Sequence, residues 1–226
     1  MKMLGSYKSI FIPLMPMVSL IMSAAAYGVT PLQEYEVLIS DSINTLSNVP
    51  IKASFLIQDS QGSSTTQGVV ETDPVDKKST GIFTISGKYQ PTITIKNITV
   101  GDTEYSYMNG NLIKKMAVPI SHPMKKSENY FSYMTNIRGI SGINFHGHEL
   151  SGLSGVVTGK NFSMFDSKIS GVPISQGSEP VKSANVRIYF NPDNGRVHQI
   201  NMVDNCYQAG VSYKVYETEK IAYLLH

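Results

Sequence analysis

The residues TPLQEYEVLISDSINTLSNVPIKASFLI (30–57) decide the fold. They read as one amphipathic helix followed at once by a strand. Thr30 can cap the helix with its hydroxyl, Pro31 suits a first helical position where a missing N–H costs nothing, and Gln33 completes a capping-box spacing. Leu32, Tyr35, Ile39, Ile43 and Leu46 recur at steps of three and four, which is one helical face. Asn48 is a plausible terminator and Pro50 stops continuation. The period then changes to two: Ile51, Ala53, Phe55 and Ile57 alternate with Lys52, Ser54, Leu56 and Gln58. A helix with an apolar stripe needs a surface to lie on, and the sheet that this strand begins supplies one.

The chain of 226 residues is 41% hydrophobic and only 16% charged, enough for a core under a weakly charged surface. Residues 1–26 read as a signal peptide. Lys2 and Lys8 precede an apolar run (10–22) broken by Pro13 and Pro16, and Ser23-Ala24-Ala25-Ala26 offers small residues for cleavage. This places residues 27–226 outside the cytoplasm, in a periplasm, envelope or secreted space. The whole chain has 19 Lys+Arg and 17 Asp+Glu; residues 1–26 hold two lysines and no acid, so the remainder has 17 of each. A balanced mature chain points neither to nucleic acid nor to an anionic membrane surface. The single cysteine, Cys206, excludes an internal disulfide and reads as a small apolar residue at a strand end.

Strands are expected at 51–58, 68–72, 81–86 and 92–96, with Ile98 and Val100 extending the last or leading into a turn. Residues 103–108 and 111–118 form a hairpin about Asn109-Gly110, a pair suited to two positive φ angles. The pattern loosens over 119–180. A short helix is read over 127–137, glycines punctuate 139–159, and short strands are read at 156–157 and 162–165. This middle is either plain connecting structure or a lid over an apolar cavity. Alternation returns at 186–190, 196–204 and 211–215, with 217–225 either a last strand or a frayed end. The expected fold is α+β, mainly β: a curved antiparallel sheet (a half-barrel) with an N-terminal helix and a loop or helix insertion packed on its concave face. Residues 27–226 form one domain, with 119–180 a looser inserted segment.

Chemistry-bearing motifs are sparse. His146 and His148 would share a strand face, as a zinc pair does, but neither His122 nor His198 is spaced to supply a third ligand, so no metal or other cofactor is expected. No nucleophile elbow, phosphate loop or dinucleotide fingerprint is present, and a non-enzyme is expected. Asn97 and Asn161 lie in glycosylation sequons. Met108, Met116, Met124, Met134, Met164 and Met202 suit either a flexible core or an adaptable apolar ligand site.

The order of elements resembles the extracytoplasmic lipoprotein-carrier (Lol-type) superfamily, which includes mycobacterial lipid-binding lipoproteins. The stretches that carry this resemblance are 49–58, 101–111 (GDTEYSYMNGN) and 186–203. The resemblance implies a half-barrel wrapped around helices, with a concave apolar face that holds acyl chains. The chain departs from lipidated members in having no cysteine near the cleavage site. On this reading it is an exported, non-catalytic carrier or sensor whose partner is a lipid, a lipidated protein or another hydrophobic ligand. Membrane-associated proteins are a further class of partner. The candidate cavity residues are Leu32, Tyr35, Ile39 and Ile43 on the helix and Phe55, Tyr105 and Tyr107 on the sheet. The alternative is an envelope or surface β-domain that acts through protein contacts and holds no small ligand.

Overall fold

The computed structural model describes residues 31–45, 48–117, 129–159, 161, 162, 165, 181–208 and 210–224. The signal-peptide segment, the Thr30 cap and Leu46 lie outside these residues. Helix α1 (Pro31–Thr45) leads into strand β1 (Ile51–Asp59). The strands β2 (Ser64–Asp73), β3 (Lys78–Gly87), β4 (Gln90–Val100), β5 (Thr103–Met108) and β6 (Asn111–Ala117) follow as successive hairpins. A 3₁₀ turn (Tyr130–Tyr133) leads into β7 (Met134–Phe145) and β8 (His148–Thr158). The chain ends with β9 (Val181–Phe190), β10 (Val197–Gln208) and β11 (Val211–Tyr223).

The strands form one open, curved antiparallel sheet in the order β6-β5-β4-β3-β2-β1-β11-β10-β9-β8-β7. Two meanders meet at its centre. One runs outward from β1 to β6; the other returns inward from β7 to β11. Strand β6 ends at Ala117 on one edge of the sheet, and β7 begins at Met134 on the other. The join is a continuous antiparallel ladder from Ile51↔Tyr223 to Asp59↔Val215. The β1–β2 turn is set by Asp59, whose carboxylate accepts hydrogen bonds from the N–H groups of Gln61, Ser63 and Ser64 and from both serine hydroxyls, at 2.6–3.0 Å. Burial pushes this carboxyl up, but the serine hydrogen bonds outweigh it and hold the pKa at about 2.

Paired residues of an antiparallel ladder share a face, so the register sorts the side chains. The face toward α1 carries the core. Ile39 and Ile43 of α1 and Tyr130 and Phe131 of the 3₁₀ turn pack with Ala53, Leu153, Val157, Val186, Ile188, Ile200 and Ile221. Phe162 and Phe165, from a short helical stretch after β8, join them. The core therefore lies over β7–β11 and β1. The other half of the sheet has a thinner arrangement, in which the Phe55 and Phe83 rings meet at 5.3 Å and lie across Gly68 and Gly81. A side chain at either glycine would occupy the ring's place.

The mainly-β fold, the helix and the Asn109-Gly110 turn follow the sequence reading, with φ of 49° and 83° at the turn. The middle of the chain does not. Residues 139–159 are not draped loops but most of two long strands, β7 and β8. Four glycines of this stretch, Gly142, Gly152, Gly155 and Gly159, leave no room for a Cβ, whereas Gly139 and Gly147 have open space there. A Cβ at Gly142 would strike the Leu150 carbonyl where the ladder shifts register between Ile140 and Ile143, and one at Gly155 would meet the Met134 side chain. The expected helix at 127–137 is, within the described residues, a single 3₁₀ turn that passes into β7. Phe162 and Phe165 are helical rather than extended, and 217–225 is no separate element, since β11 runs unbroken to Tyr223.

Helix α1 is seated on the β9–β10 turn. Gly195 there has φ +68°, and a Cβ on it would come within 2.5 Å of the Leu38 carbonyl oxygen. Gly62 has a similar φ of +65° but open space around it. Gly195→Ala should therefore destabilise the protein more than Gly62→Ala. The backbone term costs about 1 kcal/mol or more in both, and only the first also displaces the helix. Equal losses in thermal unfolding would show that the helix does not press on this turn.

Candidate ligand-binding site

A cavity of about 760 Å³ opens between the first turns of α1 and the β7–β8 end of the sheet. Leu32 and Tyr35 line it from the helix, Ile140, Ile143, Leu150 and Leu153 from the two strands, and Phe190 and Pro192 from the end of β9 and the turn beyond. Tyr35 is fixed by its ring contact with Phe190, 5.2 Å between centroids. The walls are apolar except for Asn144, Glu149 and Ser151. This combination of apolar lining and a few polar groups is typical of small-molecule sites, which span roughly 300–1,000 Å³. The Gly142 bulge lets β7 bend along this wall, and Gly152 leaves room for the Ile140 side chain.

The seven residues expected to contact a ligand separate into four groups. Leu32 and Tyr35 line the cavity. Ile39 and Ile43, one and two turns further along α1, are 0% and 4% exposed and belong to the packed core. Phe55 shares the inner face but packs on Phe83, away from the cavity. Tyr105 and Tyr107 pair with Ile98 and Lys96, while Met108 pairs with Ile95 and thus with the Phe83 row. Tyr105 and Tyr107 therefore lie on the outer face, and the Lys115 ammonium sits 5.3 Å from the centre of the Tyr105 ring. The sheet cannot bring these two tyrosines and Phe55 into one pocket. Sequence reasoning missed Ile140, Ile143 and Leu150 because it took that stretch for loop. The signal was the Ile-x-x-Ile spacing across Gly142, which is an alternation lengthened by one bulged residue.

His146 and His148 do not share a strand face. His146 (φ 51°) and Gly147 (φ 87°) are the two turn residues of the β7–β8 hairpin, and His148 begins β8 opposite Phe145. Among the described residues no group of three or more His, Cys, Asp or Glu is placed to hold a metal ion. Cys206 is buried in β10. Asn161 is helical and Asn97 half-buried on the inner face of β4, opposite Gly81.

No family model matches the chain, and no curated protein does. Solved structures of similar chain course include lipoprotein LppX of Mycobacterium tuberculosis, at 8% identity and TM-score 0.47, covering 84% of this chain and 93% of that one. LprF of Mycobacterium bovis is similar at 10% identity and TM-score 0.45, covering 83% and 91%. MucB of Pseudomonas aeruginosa, in its complex with MucA, is similar at 9% identity and TM-score 0.35, covering 87% of this chain and 59% of that one. At these identities and scores the likeness concerns the path of the chain alone.

Beside the cavity, the Phe145 ring lies 4.5 Å from that of His146 and 5.7 Å from that of His198, which in turn lies 5.3 Å from that of Tyr223. Burial lowers the His198 pKa below its ordinary 6.5, and the neighbouring His148 and Arg196 add to this; a hydrogen bond to the Ile221 backbone opposes it. Folding thus favours neutral His198. Below about pH 6.5 the unfolded chain binds a proton that the folded one resists, so this stability is lost as the pH falls. Denaturant unfolding of wild type between pH 7.5 and 5 should lose more stability than that of His198→Gln. Identical pH slopes would show that His198 titrates alike in both states.

Proposed function

We propose that the chain is an exported, non-catalytic carrier or sensor that takes an apolar ligand, the acyl chain of a lipid or of a lipidated protein, into the cavity between α1 and β7–β8. One observation carries this reading: a cavity of about 760 Å³ whose apolar walls come from a helix and a sheet that are both already anchored in the core. Ile39 and Ile43 hold the helix while Leu32 and Tyr35, on the same stripe, are left to face the cavity. Burial of acyl methylenes, each contributing about 0.8 kcal/mol, supplies affinity without directional contacts. On this reading Asn144, Glu149 and Ser151, which also line the cavity, meet the polar end of such a ligand. Export follows from the reading of residues 1–26, which lie outside the described residues.

The alternative, a β-domain that works through protein contacts, is favoured by a different feature. Strand β6 is a sheet edge, and it exposes Leu112 (53%) and Ile113 (55%). An exposed apolar edge strand is a template for strand addition.

Leu32→Trp separates the two. The larger ring fills the cavity from its rim, at the edge of the packed stripe rather than among its buried residues Ile39 and Ile43. If the bulk excludes even two methylenes, capture of a fluorescent fatty acid should weaken roughly tenfold, with thermal stability near wild type. Unchanged capture in the folded variant would refute the cavity as the ligand site and leave the edge-strand reading.

A further inference from the structure

The register places an unusual row on the outer face of the sheet. Arg138 of β7 pairs with Ser154 of β8, Ser154 pairs with Arg187 of β9, and Arg187 pairs with Asn201 of β10. The row crosses a groove of about 1,050 Å³, which Asn185 and Tyr189 also line. Both arginines are exposed, and among the described residues neither has a carboxylate partner. Between them the Ser154 hydroxyl oxygen is buried and makes no hydrogen bond. Asn201 Oδ1 accepts a hydrogen bond from Gln199 Nε2 at 3.0 Å, which leaves the Asn201 amide N–H groups to donate.

Charge is sorted in the same sense over this whole half of the sheet. Asp204, Glu217 and Glu219 of β10 and β11 fall in the inner-face rows, with Val186, Ala53 and Phe55. Lys214 and Lys220 fall in the outer-face rows, with Asn205 and Ser54. No carboxylate lines the groove among the described residues. The balanced net charge of the mature chain thus hides a cationic outer face. Strands lie about 4.8 Å apart, so guanidinium groups two strands apart flank a gap near the width that one tetrahedral oxyanion fills. Each guanidinium offers a planar fork of donors that suits such an anion.

We propose that this groove binds a phosphate-bearing group, with Arg138 and Arg187 clamping its oxygens and Ser154 donating a third hydrogen bond. The groove borders the apolar cavity and shares Ile140, Gly142 and Ile143 with it, but Arg138, Ser154 and Arg187 line the groove and not the cavity. A soluble phosphate and an anionic lipid headgroup share this chemistry.

The test uses the exported chain in two arms: calorimetric titration with inorganic phosphate at low salt, and co-sedimentation with phosphatidylcholine vesicles with and without phosphatidylglycerol. Arg138→Gln and Arg187→Gln should each weaken binding about tenfold, the scale of a lost hydrogen bond to a charged group. Ser154→Ala should weaken it less, and Lys214→Gln, on the same face but outside the groove, should leave it unchanged. Saturable phosphate binding with this pattern supports the site with a soluble ligand. Vesicle binding that needs phosphatidylglycerol and both arginines, without phosphate binding, supports it with a headgroup. The proposal is overturned if wild type binds neither, if folded arginine variants bind like wild type, or if Lys214→Gln costs as much as either arginine, which would mark diffuse attraction.

Discussion

The ladder between β1 and β11 is the constraint on which the rest of the molecule depends. It joins two meanders that are otherwise each built from local hairpins, and it does so near the two ends of the described chain. Pairing Ala53 with Ile221 puts the strand that follows α1 beside the strand that carries the end of the core. Only then does α1, tethered to β1 by a few residues, reach the surface made by β7–β11. The Tyr130 hydroxyl, donating to Asn44 Oδ1 at 2.8 Å, fastens the 3₁₀ turn to the same helix. Long-range pairing of this kind is entropically costly to reach, so the join is expected to form after the hairpins.

The consequence is a sheet with two unlike halves and two unlike faces. Over β7–β11 the inner face is sealed by α1, the 3₁₀ turn and the phenylalanines after β8, with the cavity left at the helix's first turns. Over β2–β6 the inner face is covered mainly by its own side chains, with rings laid across glycines. The outer face mixes polar side chains with exposed apolar ones such as Leu56, Val69 and Ile82, and over β7–β11 its charged groups are cationic. If both proposals hold, an apolar recess and a basic groove that adjoin at Ile140, Gly142 and Ile143 would let the chain address the tail and the head of one amphiphile.

Much of the fold was legible in the sequence because its signals were local. The apolar stripe marked α1, alternation marked β1 and β9–β11, and Asn109-Gly110 marked the β5–β6 turn. The strands β7 and β8 were not legible. Their glycines imitate loop composition, and the bulge at Gly142 breaks the alternation that would have identified them. The candidate site was half legible for the same reason. Leu32 and Tyr35 were visible from helical periodicity, but their partners lay in the misread stretch. Tyr105 and Tyr107 were misplaced because alternation tells which residues share a face of one strand. It does not say which face of a six-strand meander looks inward. That depends on the register of every intervening pair, and the same missing register hid the row from Arg138 to Asn201.

The most direct measurement is native mass spectrometry of residues 27–226 purified without detergent, followed by organic extraction. A carrier with an apolar cavity beside α1 should hold a reproducible extra mass that extracts as a lipid-class molecule, and Leu32→Trp should lose it. A clean apo mass, with no uptake of added fatty acid, would contradict the account and make the cavity a packing defect in a domain that works through its surfaces.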